Sequence, residues 1–321
     1  MGMQFCKICG QRNEKTVVFK AREMMYGMRN EFDYFQCDHC ECLQICEFPN
    51  NISDYYPSNY YSFSPYKGMS FKGFTGYINR AKYKASVFRQ TLFQKLLYRI
   101  LPVSKFDFFQ GLNINSESRI LEVGCGNGNR LLYPLAELEF KNILGCDPFI
   151  SSSMKYSNGL EILKNDVFSL NGEWDIIIYD HAFEHIDNPQ ENLRKVSELL
   201  KPGGVCVLRI PTVPCYAWSH YNINWVQLDA PRHYFIHSPK SIDVLALRSG
   251  LKLTNVQYDS THFQFTGSEK YVTNVSLVTK REKGFNAFVK RKLKKFKYIK
   301  LAEKLNREGN GDQAIFYLQK I

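Results

Sequence analysis

No run of about 18 apolar residues occurs anywhere in the chain, which argues against a membrane-spanning helix. The opening residues, Met-Gly-Met-Gln-Phe-Cys, lack the apolar core of a secretory signal, so the expected compartment is the cytoplasm. A disulfide framework is also disfavoured. Of the ten cysteines, six lie before residue 47 and four are scattered later, and CxxC pairs without an export signal point to metal instead.

Acidic residues are scarce in one place. Between 280 and 307 there are twelve Lys or Arg and two acids, Glu282 and Glu303. The net charge of the whole chain is +11, so the remainder is close to neutral and the basic character is local. The stretch 290–304 either binds anionic lipid or is a solvated helix face. With 321 residues, 44% of them hydrophobic, the chain can build one large domain and a small one.

Cys6-Lys-Ile-Cys9 and Cys37-Asp-His-Cys40 are two CxxC knuckles about thirty residues apart. Two thiolates on each knuckle complete a tetrahedral S4 site for zinc, with no open ligand position, so the expected ion is structural. Thr16-Val-Val-Phe19 and Asp33-Tyr-Phe-Gln36 alternate like strands of a zinc ribbon. Cys42 and Cys46 suit buried apolar positions better than ligation. His39 could replace a cysteine, but Cys40 has the better spacing. The small ribbon is assigned to 1–50.

Aromatic strap and linker helices are assigned to 51–112. Asp54-Tyr-Tyr-Pro-Ser-Asn-Tyr-Tyr has loop composition. It is either a strap that packs the ribbon on the main domain or a lid whose tyrosines, Tyr56 and Tyr60 among them, touch cofactor or substrate. Ile78 to Phe109 carries Val87, Leu92, Leu96, Leu97 and Ile100 at helical spacing with Lys and Arg on the other face, giving one or two helices ended by Pro102 that either pack at the domain junction or lie on a membrane surface.

In 113–321, Arg119-Ile-Leu-Glu-Val-Gly-Cys-Gly-Asn-Gly-Asn-Arg130 predicts a buried strand, a glycine turn and a helix, the βα unit of a nucleotide site. Its Glu-x-Gly-x-Gly-x-Gly spacing, with Glu122 in the strand end, differs from a pyrophosphate cradle. Ile143 to Asp147 predicts a second strand ending on a carboxylate placed to accept both ribose hydroxyls. Leu160 to Leu163, Trp174 to Asp180, Val205 to Ile210 and Leu251 to Tyr258 predict the third to sixth strands, and Gly311 to Gln319 a final one. Residues 259–310 are too many for a loop and are expected to hold helices covering the substrate side.

These hallmarks, with Leu-Leu-Lys-Pro-Gly-Gly before the fifth strand, resemble the class I S-adenosylmethionine-dependent methyltransferases. The resemblance implies an α/β, Rossmann-like sheet, mostly parallel with the last strand antiparallel. It implies cofactor contacts from Glu122, Gly124, Cys125, Gly126, Asn127 and Gly128 of the turn, from Asp147 and Pro148, from Asp166 and Val167 at the adenine edge, and from His181. Asp166 could instead only cap the next turn. With the ribbon, the strap, Pro-Arg-His-x-x-x-x-Ser-Pro and Gly-Asp-Gln-x-x-Phe, the chain resembles bacterial small-molecule methyltransferases of surface-polysaccharide and deoxysugar biosynthesis. Sugar C-methyltransferases of that type use a His and a Glu that fall here on His185 and Glu184. They also carry a further C-terminal domain, whereas this chain ends at Ile321, an expectation against C-methylation of a keto sugar.

Methyl transfer needs a proton acceptor beside the substrate, and histidine suits that task near neutral pH. His185 is the first candidate, with Glu184 orienting it or the substrate, and His181 and His233 stand behind it. Arg232 could hold a substrate phosphate bidentately or pair with Asp229. An RNA methyltransferase is the rival reading, but Asp-His-Ala-Phe-Glu-His after strand four is not the Asn-Pro-Pro-Tyr type motif of base amino-group methylation. A binding module without catalysis is the other. The expected partner is a sugar-type acceptor, free or nucleotide- or lipid-linked; nucleic acid is not expected.

Overall fold

The computed structural model describes residues 3–14, 16–56, 66–67, 71–279 and 285–321, with the backbone alone described for 285–288. Tyr60 lies outside the described residues. The N-terminal segment forms β1 (Gln4–Phe5), β2 (Arg12–Asn13), β3 (Val18–Arg22), β4 (Glu31–Gln36) and β5 (Leu43–Ile45). Two helices follow, α1 (Gly73–Phe88) and α2 (Leu92–Ile100).

The larger part runs β6 (Ile120–Val123), α3 (Leu132–Ala136), β7 (Ile143–Cys146), β8 (Met154–Lys155), β9 (Glu161–Leu163), β10 (Trp174–Asp180), α4 (Pro189–Leu199), β11 (Leu200–Pro211) and α5 (Tyr216–Tyr221). It ends with β12 (Phe235–Ile236), α6 (Pro239–Leu247), β13 (Leu251–Tyr258), α7 (Phe263–Val272), α8 (Phe285–Arg307) and β14 (Gln313–Lys320).

Eight strands pair in the order β13-β14-β11-β10-β6-β7-β9-β8. The central pairs β11/β10, β10/β6, β6/β7 and β7/β9 are parallel, and β14 runs antiparallel to both β11 and β13. This is the α/β sheet that the sequence predicts. Alternation along the strands sorts side chains onto two faces. Leu121, Val123, Ile177, Tyr179, Cys206 and Leu208 join one core, while Ile120, Ile176, Ile178 and Val207 join the other. Leu193, Val196 and Leu199 of α4 lie on one helical stripe and complete the first core. Each such fully buried aliphatic side chain contributes about 1.5–3 kcal/mol.

By the same alternation Glu122, Asp180 and Arg209 share the face of Ile120, Ile178 and Val207. All three sit at the carboxyl ends of their strands, where an open parallel sheet leaves a crevice. The sheet thus gathers buried charge at one place.

The N-terminal part is tied into the larger one. β12, from the connection after β11, pairs with β5 and completes the sheet β12-β5-β4-β3. Asp312 of Gly-Asp-Gln-x-x-Phe packs against Trp225. The fully buried indole N–H donates to Asp312 Oδ2 at 3.0 Å. The stretch 259–310 does hold two helices, α7 and α8. None of its described residues lines the cavity below, and Tyr271 of α7 packs with Trp225 and Val226 instead.

Candidate active site

A cavity of about 430 Å³ opens at the carboxyl ends of β6, β7, β9 and β10. Its walls include Glu122, Gly124, Cys125, Gly126 and Asn127, then Asp147 and Pro148, Asp166 and Val167, and His181 and His185. The turn after β6 needs glycine at its first position. Gly124 has φ +70°, and a Cβ there would fall within 2.5 Å of the Ala182 methyl. Gly128 does not line the cavity. It sits against Ile162, where a Cβ would come within 2.8 Å of Cδ1, so packing under the turn requires glycine there.

Asp147 closes the turn. Its Oδ2 accepts from the Gly126 N–H at 2.9 Å and its Oδ1 from the Phe149 N–H at 2.8 Å. Each oxygen keeps a second lone pair. Glu122 is buried, and its Oε2 has no hydrogen-bond partner among the described residues. Burial pushes this carboxyl up, with Asp180 adding to the effect. A buried acceptor without a donor fits the ammonium of a bound amino acid moiety, and a two-oxygen carboxylate at the end of β7 fits a ribose diol. The residues present therefore fit S-adenosylmethionine. Asp166 caps the following turn as well as lining the cavity: Oδ1 accepts from the Ser169 N–H at 3.0 Å.

A charge network that the sequence reading missed lies beside Glu122. Arg209 Nη1 donates to Asp180 Oδ1 at 2.9 Å, and Arg209 Nε to Asp259 Oδ2 at 2.5 Å. Arg130 Nε pairs with Asp180 Oδ2 at 2.5 Å. Burial alone would raise the Asp180 carboxyl, but the two guanidiniums outweigh it and hold it below the usual range. The available signal was a lone arginine inside the apolar run Val-Cys-Val-Leu-Arg-Ile.

Three histidines converge past β10. His181 Nε2 lies 3.3 Å from Arg209 Nη1, which can only donate, so that nitrogen is the acceptor and its lone pair is used. His181 Nδ1 faces Glu184 Oε1 at 3.5 Å. His233 Nδ1 donates to the Gln227 carbonyl at 2.7 Å, and its Nε2 stands 3.9 Å from Glu184 Oε1. His185 Nδ1 donates to the Arg232 carbonyl at 2.8 Å, leaving Nε2 as the lone-pair nitrogen. The Tyr56 hydroxyl lies 3.2 Å from the same Nδ1, and the Tyr56 ring stacks with Phe149 at a centroid distance of 6.2 Å. His185 and Tyr56 line the cavity; Glu184 and His233 stand behind it.

Burial sets the protonation of this group. It depresses His185 to about 3, with His233 contributing, and pushes His181 and His233 down, so all three rings are neutral. It pushes the Glu184 carboxyl up to about 8.

Two expectations are corrected here. Glu184 does not orient His185. Its oxygens have no hydrogen-bond partner among the described residues and face His181 and His233, while the Arg232 carbonyl orients His185. Arg232 is not a phosphate clamp. Its guanidinium is fully buried and donates to Glu23, to both oxygens of Asp229 and to the Tyr55 carbonyl, and no face of it reaches the cavity.

The sulfurs of Cys6, Cys9, Cys37 and Cys40 lie within 4.8 Å of one another. Cys6 and Cys40 are 3.5 Å apart, Cys9 and Cys37 3.6 Å. Four sulfurs about 2.3 Å from one tetrahedral ion would stand about 3.8 Å apart. Backbone N–H groups of Ile8, Cys9 and His39 point at Cys6 and Cys37 Sγ at 3.4 Å, as suits thiolates. His39 Nε2 is turned to the Arg12 carbonyl at 3.4 Å, and Cys42 and Cys46 stand outside the cluster. A second set, Glu184, His185 and His233, also brings one ligand atom each within 4.8 Å.

The family model described as "Methyltransferase domain" matches residues 88–256, more than half of the chain. The chain is 26% identical to a ubiquinone biosynthesis O-methyltransferase of Maricaulis maris, over 55% of this chain and 74% of that protein. It is 23% identical to the Rickettsia canadensis protein of the same name, over 52% and 77%. Among solved structures, a mycolic acid cyclopropane synthase with bound SAH and CTAB aligns with a TM-score of 0.45 at 16% identity, covering 76% of this chain and 98% of that one.

Proposed function

For a chain that belongs to the methyltransferase-domain family, and so transfers methyl groups from S-adenosylmethionine, we propose an oxygen of a polar, sugar-type small molecule as the acceptor and His185 as the group that takes its proton. One observation carries the second half of this reading. Of the histidines that line the cavity, His185 is the one whose lone pair no described residue uses.

The cofactor, when bound, supplies a methyl group already activated by its sulfonium. Glu122 would hold the amino acid end and Asp147 the ribose, in the cavity that His181 and His185 also line. Tyr56 and Phe149 stack in the cavity wall, where their rings would help to exclude water. His185 presents Nε2 to the acceptor hydroxyl. A neutral imidazole of low basicity is adequate for this task, because an alkylated hydroxyl is a far stronger acid than the alcohol. The acceptor's proton would pass to Nε2 as its oxygen takes the methyl and the sulfonium C–S bond breaks to leave the neutral thioether, and Glu184 would ionise more easily beside the resulting imidazolium.

The polar wall beyond the glycine turn supports a hydroxyl-rich acceptor. Arg130, Asp187, Asn188 and Asn192 line the same cavity. The relatives' printed names support oxygen as the methylated atom and a small acceptor. The four cysteines are proposed as a structural zinc site that holds β1, β2 and the β3–β5 sheet together.

The test is methyl transfer to a panel of nucleotide sugars and free glycans, followed by mass spectrometry. His185→Asn is expected to lower kcat by about 10²–10⁴-fold, the usual contribution of a general base, with cofactor affinity unchanged. Turnover of phenolic acceptors with none of any sugar would refute the sugar reading. Unchanged kcat in His185→Asn would refute the base.

A further inference from the structure

The helices α1 and α2 carry an apolar face that no described residue covers. In α2, Leu92, Phe93, Leu96 and Ile100 are 85%, 70%, 58% and 65% exposed, and no residue of the helix is buried. At 3.6 residues per turn these four fall on one stripe about 100° wide. Leu97 and Tyr98 point the other way and are half-buried, Tyr98 hydrogen-bonding Asp107 at 2.7 Å. The stripe therefore faces outward by construction. A capping box of Thr91 and Gln94 fixes where the helix starts. Phe74 and Tyr77 of α1 extend the exposed apolar surface at 79% and 72%.

The hairpin's own charge is all of one sign. From 72 to 106 the chain holds eight Lys or Arg and no acid. Arg80 pairs with Glu137 and Arg89 with Asp107, and Lys105 turns inward to the Arg130 carbonyl. Lys72, Lys84, Lys95 and Arg99 are exposed and form no ion pair with any described acid. On the wheel Lys95 and Arg99 border the apolar stripe directly.

We propose that the α1–α2 hairpin is a membrane-docking surface that lays Leu92, Phe93, Leu96 and Ile100 into the headgroup boundary of an anionic phospholipid layer. An outward apolar stripe edged by lysine and arginine matches an interfacial helix. Negative lipid attracts the flanking cations. A second copy of this chain is the poorer occupant. A two-fold interface sets the same patch against itself, and here it would oppose cation to cation with no acid in either hairpin. No helix among the described residues is long and apolar enough to cross a membrane, so the contact is peripheral. The basic helix α8 is a separate feature, with Leu293 and Phe296 exposed on its own face.

Flotation of the full chain with vesicles tests this. Phosphatidylcholine vesicles are compared with vesicles that also contain phosphatidylglycerol. The wild type is expected to float with the anionic vesicles and to be released by salt. Phe93→Glu with Leu96→Glu is expected to weaken partition roughly tenfold or more, with the melting temperature unchanged because both side chains are exposed. Lys95→Glu with Arg99→Glu is expected to remove the preference for phosphatidylglycerol. Three outcomes overturn the proposal. The wild type floats with neither vesicle. Or binding survives Phe93→Glu/Leu96→Glu and is lost in Lys292→Glu/Lys295→Glu, which moves the contact to α8. Or the wild type sediments as a dimer that Leu96→Glu separates, which gives the face to a second copy.

Discussion

Arg232 donates to Glu23 at 2.9 Å, and neither side chain is accessible to solvent. The same guanidinium holds Asp229, which precedes β12 in the chain, and the Tyr55 carbonyl at the start of the strap. One buried cation thus joins the cysteine module, the strap and the segment that carries His233.

Removing one partner of such a pair leaves uncompensated charge inside the protein. Arg232→Met is expected to destabilise the fold by about 3–5 kcal/mol, read as a lower midpoint in urea denaturation. Arg232→Lys is expected to recover little, because one ammonium cannot reach Glu23, Asp229 and Tyr55 in the guanidinium's planar geometry. A melting curve unchanged in Arg232→Met would show that the cation does not join these parts.

Stability should depend on pH through Glu184. The folded chain keeps this carboxyl protonated up to about 8, whereas an unfolded glutamate ionises near about 4.3. Between those values the folded state binds more protons, so stability falls as pH rises through the window. Glu184→Gln removes this slope. The variant should match the wild type near pH 5 and melt above it near pH 8.5. A divalent cation held by Glu184, His185 and His233 would keep the carboxylate ionised and reverse the sign, so the same melting series separates the two situations.

Metal analysis should give one zinc per chain, held by Cys6, Cys9, Cys37 and Cys40. Cys37→Ser is expected to lose the ion and to lower the melting temperature, because the site closes a loop and β5 pairs with β12 of the larger part. Prolonged chelation should act in the same direction. Full zinc content in Cys37→Ser would contradict the four-sulfur site.

How much of this the sequence carried depends on the kind of signal. The β6 turn was legible because a strand, three spaced glycines and a helix leave few other structures, and Asp147 followed from its place at a strand end. The cysteine knuckles were legible for the same reason, since ligand spacing is local. Arg232 was not. Its sequence neighbour Asp229 was visible as a partner, but Glu23 lies 209 residues away, and only the fold brings it near. Glu184 and His185 are adjacent in sequence and look like a pair, yet the turn after Asp180 sets both beside His233 and leaves the Arg232 carbonyl, not Glu184, to hydrogen-bond His185. The cations of the α1–α2 hairpin were legible as one face of a periodic segment, but that Leu92, Phe93, Leu96 and Ile100 are left exposed was not, because only the fold decides which face is covered.

The central claim is that the β6 turn and Asp147 form the cofactor site, and calorimetric titration with S-adenosylmethionine tests it most directly. The wild type should bind one equivalent per chain. Asp147→Ala should weaken binding at least roughly tenfold, as expected for loss of a charge-assisted pair of ribose contacts, while remaining folded by circular dichroism. Equal affinity in the two proteins, or no binding by a folded, zinc-loaded wild type, would contradict the account.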